Sequence, residues 1–372
     1  MPARLLYAAS DRNADILYAT GFRAPDAFAF VEANGRTAVL LSDLEIDRGR
    51  RDAKVDSVES WSELATSLRK RLKREPKPAE VIAAFARKHK ATRPIVPADF
   101  PAGLATALAG CGVKVRPIDG HFWPDREIKT AAEIRAITAA IRVTEAGIER
   151  AFEILAKARI RKDRKLEWGS GVLTAERLRA ELEAAMLYQG AVAANDSIVA
   201  CGNQACDPHE RGHGPLRANE LIILDVFPRI AKTGFYGDLT RTVVRGRATG
   251  AQRRLWETCL EGHQHALRAL KPGVRGSRVQ EDVRTFFTDR GYPTEQKDDR
   301  WTGFFHGLGH GLGLDLHENP RIAATTLRAG QVFTVEPGIY VPGIGGVRHE
   351  DVVTITDSGH RMLSRIPKPL EI

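Results

Sequence analysis

The sequence predicts a mixed α/β protein in two parts: a smaller N-terminal α/β domain over residues 1–124 and a larger α+β domain over residues 125–372. Three observations carry that prediction. A hairpin signal stands near the start. A long amphipathic helix follows the segment HFWPDREIKT. After that segment one order of elements occurs twice: helix, helix, histidine, acid-bearing strand, acid-bearing strand. A chain of 372 residues has room for two domains and a sizeable core.

In the first part, AFAFVEA and TAVLLS flank Asn34-Gly35, the dipeptide favoured in two-residue hairpin turns. A stretch rich in Ala, Leu, Lys and Arg predicts helix over roughly 61–90, and TRPIVPADF and VKVRPI predict strands. The second part opens with a helix at about 131–158, followed by another at about 174–188. His209 comes next, then strands carrying Asp225 and Asp238. Helices at about 252–270 and 276–289 begin the second half, followed by His310 and strands carrying Glu336 and Glu350. The repeat lies in arrangement, not in residue identity.

Composition narrows the function classes. Apolar residues make up 43% and charged residues 28%, ordinary for a globular protein. No apolar run is long enough for a membrane-spanning helix, and MPARLLYAASDRNAD lacks the pattern of a secretory leader. Four scattered cysteines do not make a disulfide framework, so a reducing cytoplasm is expected. The net charge of +9 is spread over helical stretches such as SLRKRLKREPK and KARIRKDRK, without interleaved aromatics. Solvated helix faces account for it, and neither nucleic acid nor membrane is expected as a partner.

The acids sit where strands end. LIILDVF places Asp225 at the end of a buried-strand pattern, and such a carboxylate must be paired or bind a metal. In FYGDLTRTVV, Asp238, Thr240 and Thr242 share one face, with Leu239, Arg241 and Val243 on the other. Glu336 ends the strand in QVFTVEPGIYV, and Arg348 and Glu350 share a face in GGVRHEDVVTIT. An oxygen-rich set with one imidazole suits Mn, Co, Fe or Zn. Four carboxylates exceed what one ion usually gathers, and two ions would balance them. The histidines lie in FFHGLGHGLGLDLHENP. Its glycines alternate, which excludes a dinucleotide loop or a P-loop. His310 and His317 can converge only if the chain bends between them, and glycine permits bends. A zinc segment at Cys201, Cys206, His209 and His213 is disfavoured because the spacing is not that of a standard finger.

These motifs together resemble the metallopeptidases of the pita-bread fold, which include aminopeptidase P, prolidase and methionine aminopeptidase: Asp225, the DLTRT of Asp238–Thr242, GHGLGLDLHE around His310, VEPGIY with Glu336, and VRHED with Glu350. The resemblance covers essentially the whole chain. The N-terminal part, with its YATGF, resembles the creatinase-type domain of the proline-specific members. It implies one ion at Asp225, Asp238 and Glu350 and a second at Asp238, His310, Glu336 and Glu350. Manganese is the first expectation, with Co, Zn or Fe as alternatives. It further implies substrate-side roles for His209, His317 and His306, an arginine at Arg348 typical of proline-specific members, and a homodimer. The implied activity is hydrolysis of the bond between an N-terminal residue and a following proline, with Glu336 as proton shuttle.

The HGLGH pattern is more like aminopeptidase P than prolidase. No second basic residue in the C-terminal motifs is an evident clamp for a substrate carboxylate. Xaa-Pro-Yaa peptides are therefore expected at least as readily as Xaa-Pro dipeptides, with a prolidase as the alternative. A binding module that had lost the chemistry would lack ligands, and all five are present. One departure stands out. Asp225 and Asp238 are thirteen apart instead of the family's usual eleven, and Phe227-Pro228 replaces a small residue. An even insertion keeps both carboxylates on their faces.

Overall fold

The computed structural model describes residues 2–193 and 197–372. The chain divides into two compact units, Met1–Pro124 and Asp125–Ile372.

The first unit is a six-stranded mixed sheet in the order β4-β3-β2-β1-β5-β6. Its strands are β1 (Arg4–Ala8), β2 (Phe28–Ala33), β3 (Arg36–Leu41), β4 (Ser57–Ser60), β5 (Ile95–Val96) and β6 (Arg116–Pro117). Asn34 and Gly35 close the β2–β3 hairpin with φ of 54° and 72°, the paired positive values of the tight turn expected there. Alternation along the strands sends Leu5, Val31 and Leu40 into one apolar cluster and Leu6, Phe30 and Val39 into another, so both faces of the sheet are covered. Helices α1 (Ala14–Thr20) and α2 (Ile46–Asp52) belong to this unit, as do α3 (Trp61–Leu72), α4 (Pro78–Lys88) and α5 (Ala102–Gly110). The single helical region expected over 61–90 is two helices. Lys73 turns left-handed with φ of 58°, and Pro78 opens the next helix at its first turn, where proline costs no hydrogen bond.

The second unit repeats one plan. Helices α6 (Ala131–Lys157) and α7 (Ala175–Leu187) precede an antiparallel sheet of Ile198–Cys201, Leu221–Val226 and Leu239–Val244. Helices α8 (Gly250–Ala269) and α9 (Gly276–Asp289) precede a five-stranded sheet that includes His310–Gly311, Glu318–Arg321, Val332–Val335 and Asp351–Ile355. The opening helix of each half starts with the same device. Thr130 with Glu133 caps α6 and Thr249 with Gln252 caps α8, each as a reciprocal capping box. Leu155, Leu178 and Leu182 are fully buried in the first half's core, and Leu255, Val283 and Phe287 in the second's. Among the described residues no helix is long and apolar enough to cross a membrane.

Candidate metal centre

Two antiparallel strand pairs gather the acids. Val226 pairs with Leu239, which brings Asp225 and Asp238 to the same end of one ladder. Val335 pairs with Asp351, and Glu336 and Glu350 lie one residue beyond that pair. The two ladders are tied together. Glu350 N donates to Thr240 O at 3.2 Å, Arg348 N donates to Thr242 Oγ1 at 3.0 Å, and Thr240 Oγ1 donates to Glu350 Oε2 at 2.7 Å.

The glycine-rich loop brings in the imidazole. His310–Gly311 pairs with Glu318–Arg321 across a register shift, and this hairpin carries His317 back over His310. The two ring centroids are 4.4 Å apart. Gly309, Gly311 and Gly313 do so by thinness rather than by unusual torsion. None of Gly307, Gly309, Gly311 and Gly313 has a positive φ. A Cβ at Gly309 would lie 2.0 Å from Thr334 O, and one at Gly313 would lie 2.5 Å from a Glu318 carboxylate oxygen. Close approach of backbone, not a left-handed bend, is what demands glycine here.

His310 N donates to Thr334 Oγ1 at 3.1 Å, and Nδ1 lies 3.0 Å from Gly311 O. That contact assigns the proton to Nδ1. Nε2 is left as acceptor, 3.3 Å from Glu336 Oε1 and 3.6 Å from Asp238 Oδ2. Potential ligand atoms of Asp238, His310 and Glu350 all lie within 4.8 Å of one another. Glu336 stands beside this group. Asp225 is turned to Arg348 instead, with Nη2 to Oδ2 at 2.6 Å.

The charge balance is lopsided. Among the described residues, Asp238, Glu336 and Glu350 have only hydroxyls and the His310 ring as polar side-chain partners. Burial pushes the Asp238 carboxyl well above the usual range, and Glu350, Asp225 and Glu336 push it further. Glu350 is raised likewise by burial, then by Glu336 and Asp225. Glu336 is raised by burial with Asp225 adding, against the opposing pull of Arg348. Burial lowers His310 to about 4, so its ring is neutral and able to bind a cation. Crowded, buried acids beside a neutral imidazole fit a divalent cation, which supplies the missing positive charge.

A cavity of about 660 Å³ opens onto this group. All nine residues that the sequence singles out for metal or substrate line it: Asp225, Asp238, His310, Glu336, Glu350, His209, His306, His317 and Arg348. His209 and His317 are exposed. Partial burial of the His317 ring, which packs against His310, lowers it to about 4, with His310 adding to the effect. A hydrogen-bonded chain runs along one wall. Arg348 Nη1 donates to Tyr340 Oη at 2.9 Å, Tyr340 Oη lies 2.9 Å from His306 Nε2, and His306 Nδ1 lies 2.9 Å from Gly307 O. The disfavoured zinc segment stays apart. Cys206 is buried in an apolar cluster, Cys201 Sγ meets Glu220 at 3.7 Å, and burial pushes the two thiols up to about 11 and about 12.

The family follows from comparison with known proteins. The model of metallopeptidase family M24 matches residues 135–357. The chain belongs to metallopeptidase family M24. The Xaa-Pro dipeptidase of Pyrococcus furiosus is 32% identical over 260 residues, which span 68% of each chain. Prolidase from Pyrococcus furiosus superposes with a TM-score of 0.80 at 24% identity, over 99% of this chain and 97% of that one. X-Pro aminopeptidase from Thermotoga maritima gives 0.81 at 23% identity, over 100% and 98%. These structural likenesses show the pita-bread fold, and family M24 makes the chain a metallopeptidase.

Sequence reasoning left several residues in and behind the wall of this M24 cavity unassigned. Tyr340 orders both Arg348 and His306, Thr240 holds Glu350, and Phe227, Phe305, Arg211 and Arg321 line the space. Thr240 had a signal, since it shares a strand face with Asp238. Arg211 and Arg321 had none, because they stand outside the strands that carry the acids.

Proposed function

We propose that this M24 metallopeptidase hydrolyses the bond between an N-terminal residue and a following proline, using two divalent ions, manganese first. The supporting observation is the cluster of Asp238, His310 and Glu350 in one cavity, in a chain whose relative is named an Xaa-Pro dipeptidase. Asp225, Asp238 and Glu350 would hold one ion, and Asp238, His310, Glu336 and Glu350 the other. Bound there, such ions supply Lewis acidity and positive charge at the scissile carbonyl.

The protein's own groups do the rest. Glu336 takes a proton from the attacking water and returns it to the proline nitrogen as the C–N bond breaks. His317 and His209 donate N–H groups to the oxygen that gains charge. The chain from Arg348 through Tyr340 fixes the His306 ring at the cavity wall. An Xaa-Pro bond has no N–H, so the proline must be recognised by shape. Ile198, Phe227, Phe305 and Leu316 offer an apolar wall for that purpose.

Xaa-Pro-Yaa peptides were favoured on two grounds, the HGLGH pattern and the lack of a second basic residue in the C-terminal motifs. Arg211 and Arg321 both line the cavity, which weakens the second ground and supports keeping Xaa-Pro dipeptides beside the longer peptides as substrates. The first unit is read as the creatinase-type domain and the whole as a cytoplasmic homodimer. Light scattering at twice the 41.0 kDa chain mass tests the dimer. Release of free proline from Ala-Pro, and of alanine from Ala-Pro-Ala, by Mn-loaded protein tests the activity. Cleavage of neither peptide with Mn, Co or Zn would end the proposal.

A further inference from the structure

The face of strand Leu239–Val244 turned away from the cavity carries Arg241, which is 1% exposed. A guanidinium has five N–H donors, and here five acceptors meet it. Nη1 donates to Thr240 O at 2.9 Å and to Glu350 O at 2.6 Å. Nη2 donates to Asp351 Oδ1 at 2.8 Å and to Ile366 O at 2.9 Å, and Nε donates to Pro367 O at 3.1 Å. One side chain thus joins the strand after Asp238, the backbone of Glu350 itself and the C-terminal segment. Asp351 is held from its other sides by Ser364 Oγ at 2.7 Å and by Lys368 Nζ, with His263 Nε2 at 3.4 Å.

We propose that Arg241 is a positioning residue for the metal centre: it fixes residues 240, 350 and 351 against one another and so sets the Glu350 carboxylate relative to Asp238. The inference rests on the metal reading above. Stability alone is a poor reason for the arrangement, since apolar packing commonly replaces a buried ion pair without loss. What a rigid, planar fork supplies is direction. Glu350 presents its carboxylate to Thr240 on the cavity side and its carbonyl to Arg241 on the other. Any slide of this residue therefore breaks bonds on both faces. Groups that orient ligands from behind typically change metal affinity by about 10–100-fold when removed. Lysine keeps the charge but cannot reach five acceptors in two directions.

The test uses the full-length chain stripped with chelator, with R241K and R241M beside wild type. Mn binding is read by calorimetry, the Co(II) visible spectrum reports ligand geometry, and thermal melting reports the fold. R241K is expected to melt cooperatively, to bind Mn about 10–100-fold more weakly and to give an altered Co(II) spectrum. An R241K protein with wild-type Mn affinity and spectrum overturns the proposal, whatever its melting temperature. If neither Arg241 variant folds, S364A removes one hydroxyl from Asp351 and is expected to weaken Mn binding by less than about tenfold, yet measurably. Unchanged affinity in S364A then overturns it. A wild-type chain that binds no Mn removes the metal reading and this inference together. Normal Mn uptake by wild type with unchanged uptake by the variants removes this inference alone.

Discussion

Glu350 and Asp351 are neighbours in sequence, are each 2% exposed and point to opposite faces of the chain. Their surroundings could hardly differ more. Glu350 looks into the cavity, where burial and then Glu336 and Asp225 raise its carboxyl well above the usual range. Asp351 looks the other way. Burial would raise it too, but Arg241, His263 and Lys368 outweigh burial and hold it below the usual range. Residue class and burial are shared, and the partners differ. The scaffold acid has its cations built in. Asp225 has Arg348 beside it, but Asp238, Glu336 and Glu350 have no such partner among the described residues, which is the signature of a site that takes a cation from solution. Glu318, buried beside Lys129 and Arg126 under the His317 loop, belongs with Asp351.

The contrast breaks most visibly at the cavity acids. Glu350→Ala and Asp238→Ala are each expected to cut kcat by about ten-thousandfold or more, since a bound cation contributes several kcal/mol to the transition state. Each should also lower Mn content measured by elemental analysis, and full occupancy in either would contradict the assignment. On the other face, Asp351→Asn leaves Arg241 and Lys368 buried without their counter-charge. It should cost about 3–5 kcal/mol in urea unfolding. Glu350→Gln in the metal-free chain should cost nothing or stabilise, because it removes one of several crowded like charges. A large destabilisation there would show the two faces to be alike.

His317→Ala should keep its Mn and lose about 10²–10³ in kcat, the usual loss for one donor to a developing oxyanion. His317 is exposed, so its stability should change by no more than about 0.5 kcal/mol. A marked fall in melting temperature with turnover retained would instead make it a prop for the loop.

The smallest effect concerns Glu318. Burial would raise its carboxyl, but Lys129 and Arg126 outweigh burial and hold it low. A lowered folded value means that the stability is present above the ordinary glutamate range and is lost as pH falls through the folded value. The drop in unfolding midpoint between pH 7 and pH 4 should therefore be smaller in Glu318→Gln than in wild type. Equal drops would remove Glu318 from the group of built-in pairs.

Much of the molecule was legible without coordinates. Asn34-Gly35 announces its turn because only residues tolerant of positive φ fit one. Helices α6 to α9 stand out because an apolar stripe of helical period survives over many turns. The four acids were recognisable as a set because each interrupts an apolar strand at its end, where a bare carboxylate is costly. These signals act within a few residues, so sequence alone named most of the elements and the acids and histidines proposed for the site. Tertiary structure decided what required segments distant in the chain. Arg348 reaches Asp225 across 123 positions, which sets Asp225 apart from the three clustered candidate ligands. Gly309 is required by Thr334 O, an atom that no local pattern reveals. Arg241 reads in sequence only as a member of the strand face opposite Asp238, yet it is buried by Glu350, Asp351, Ile366 and Pro367. Periodicity says which face a side chain takes; only the packed chain says what waits on that face, because hydrogen bonds and van der Waals contacts act over a few ångströms of space and not along the sequence.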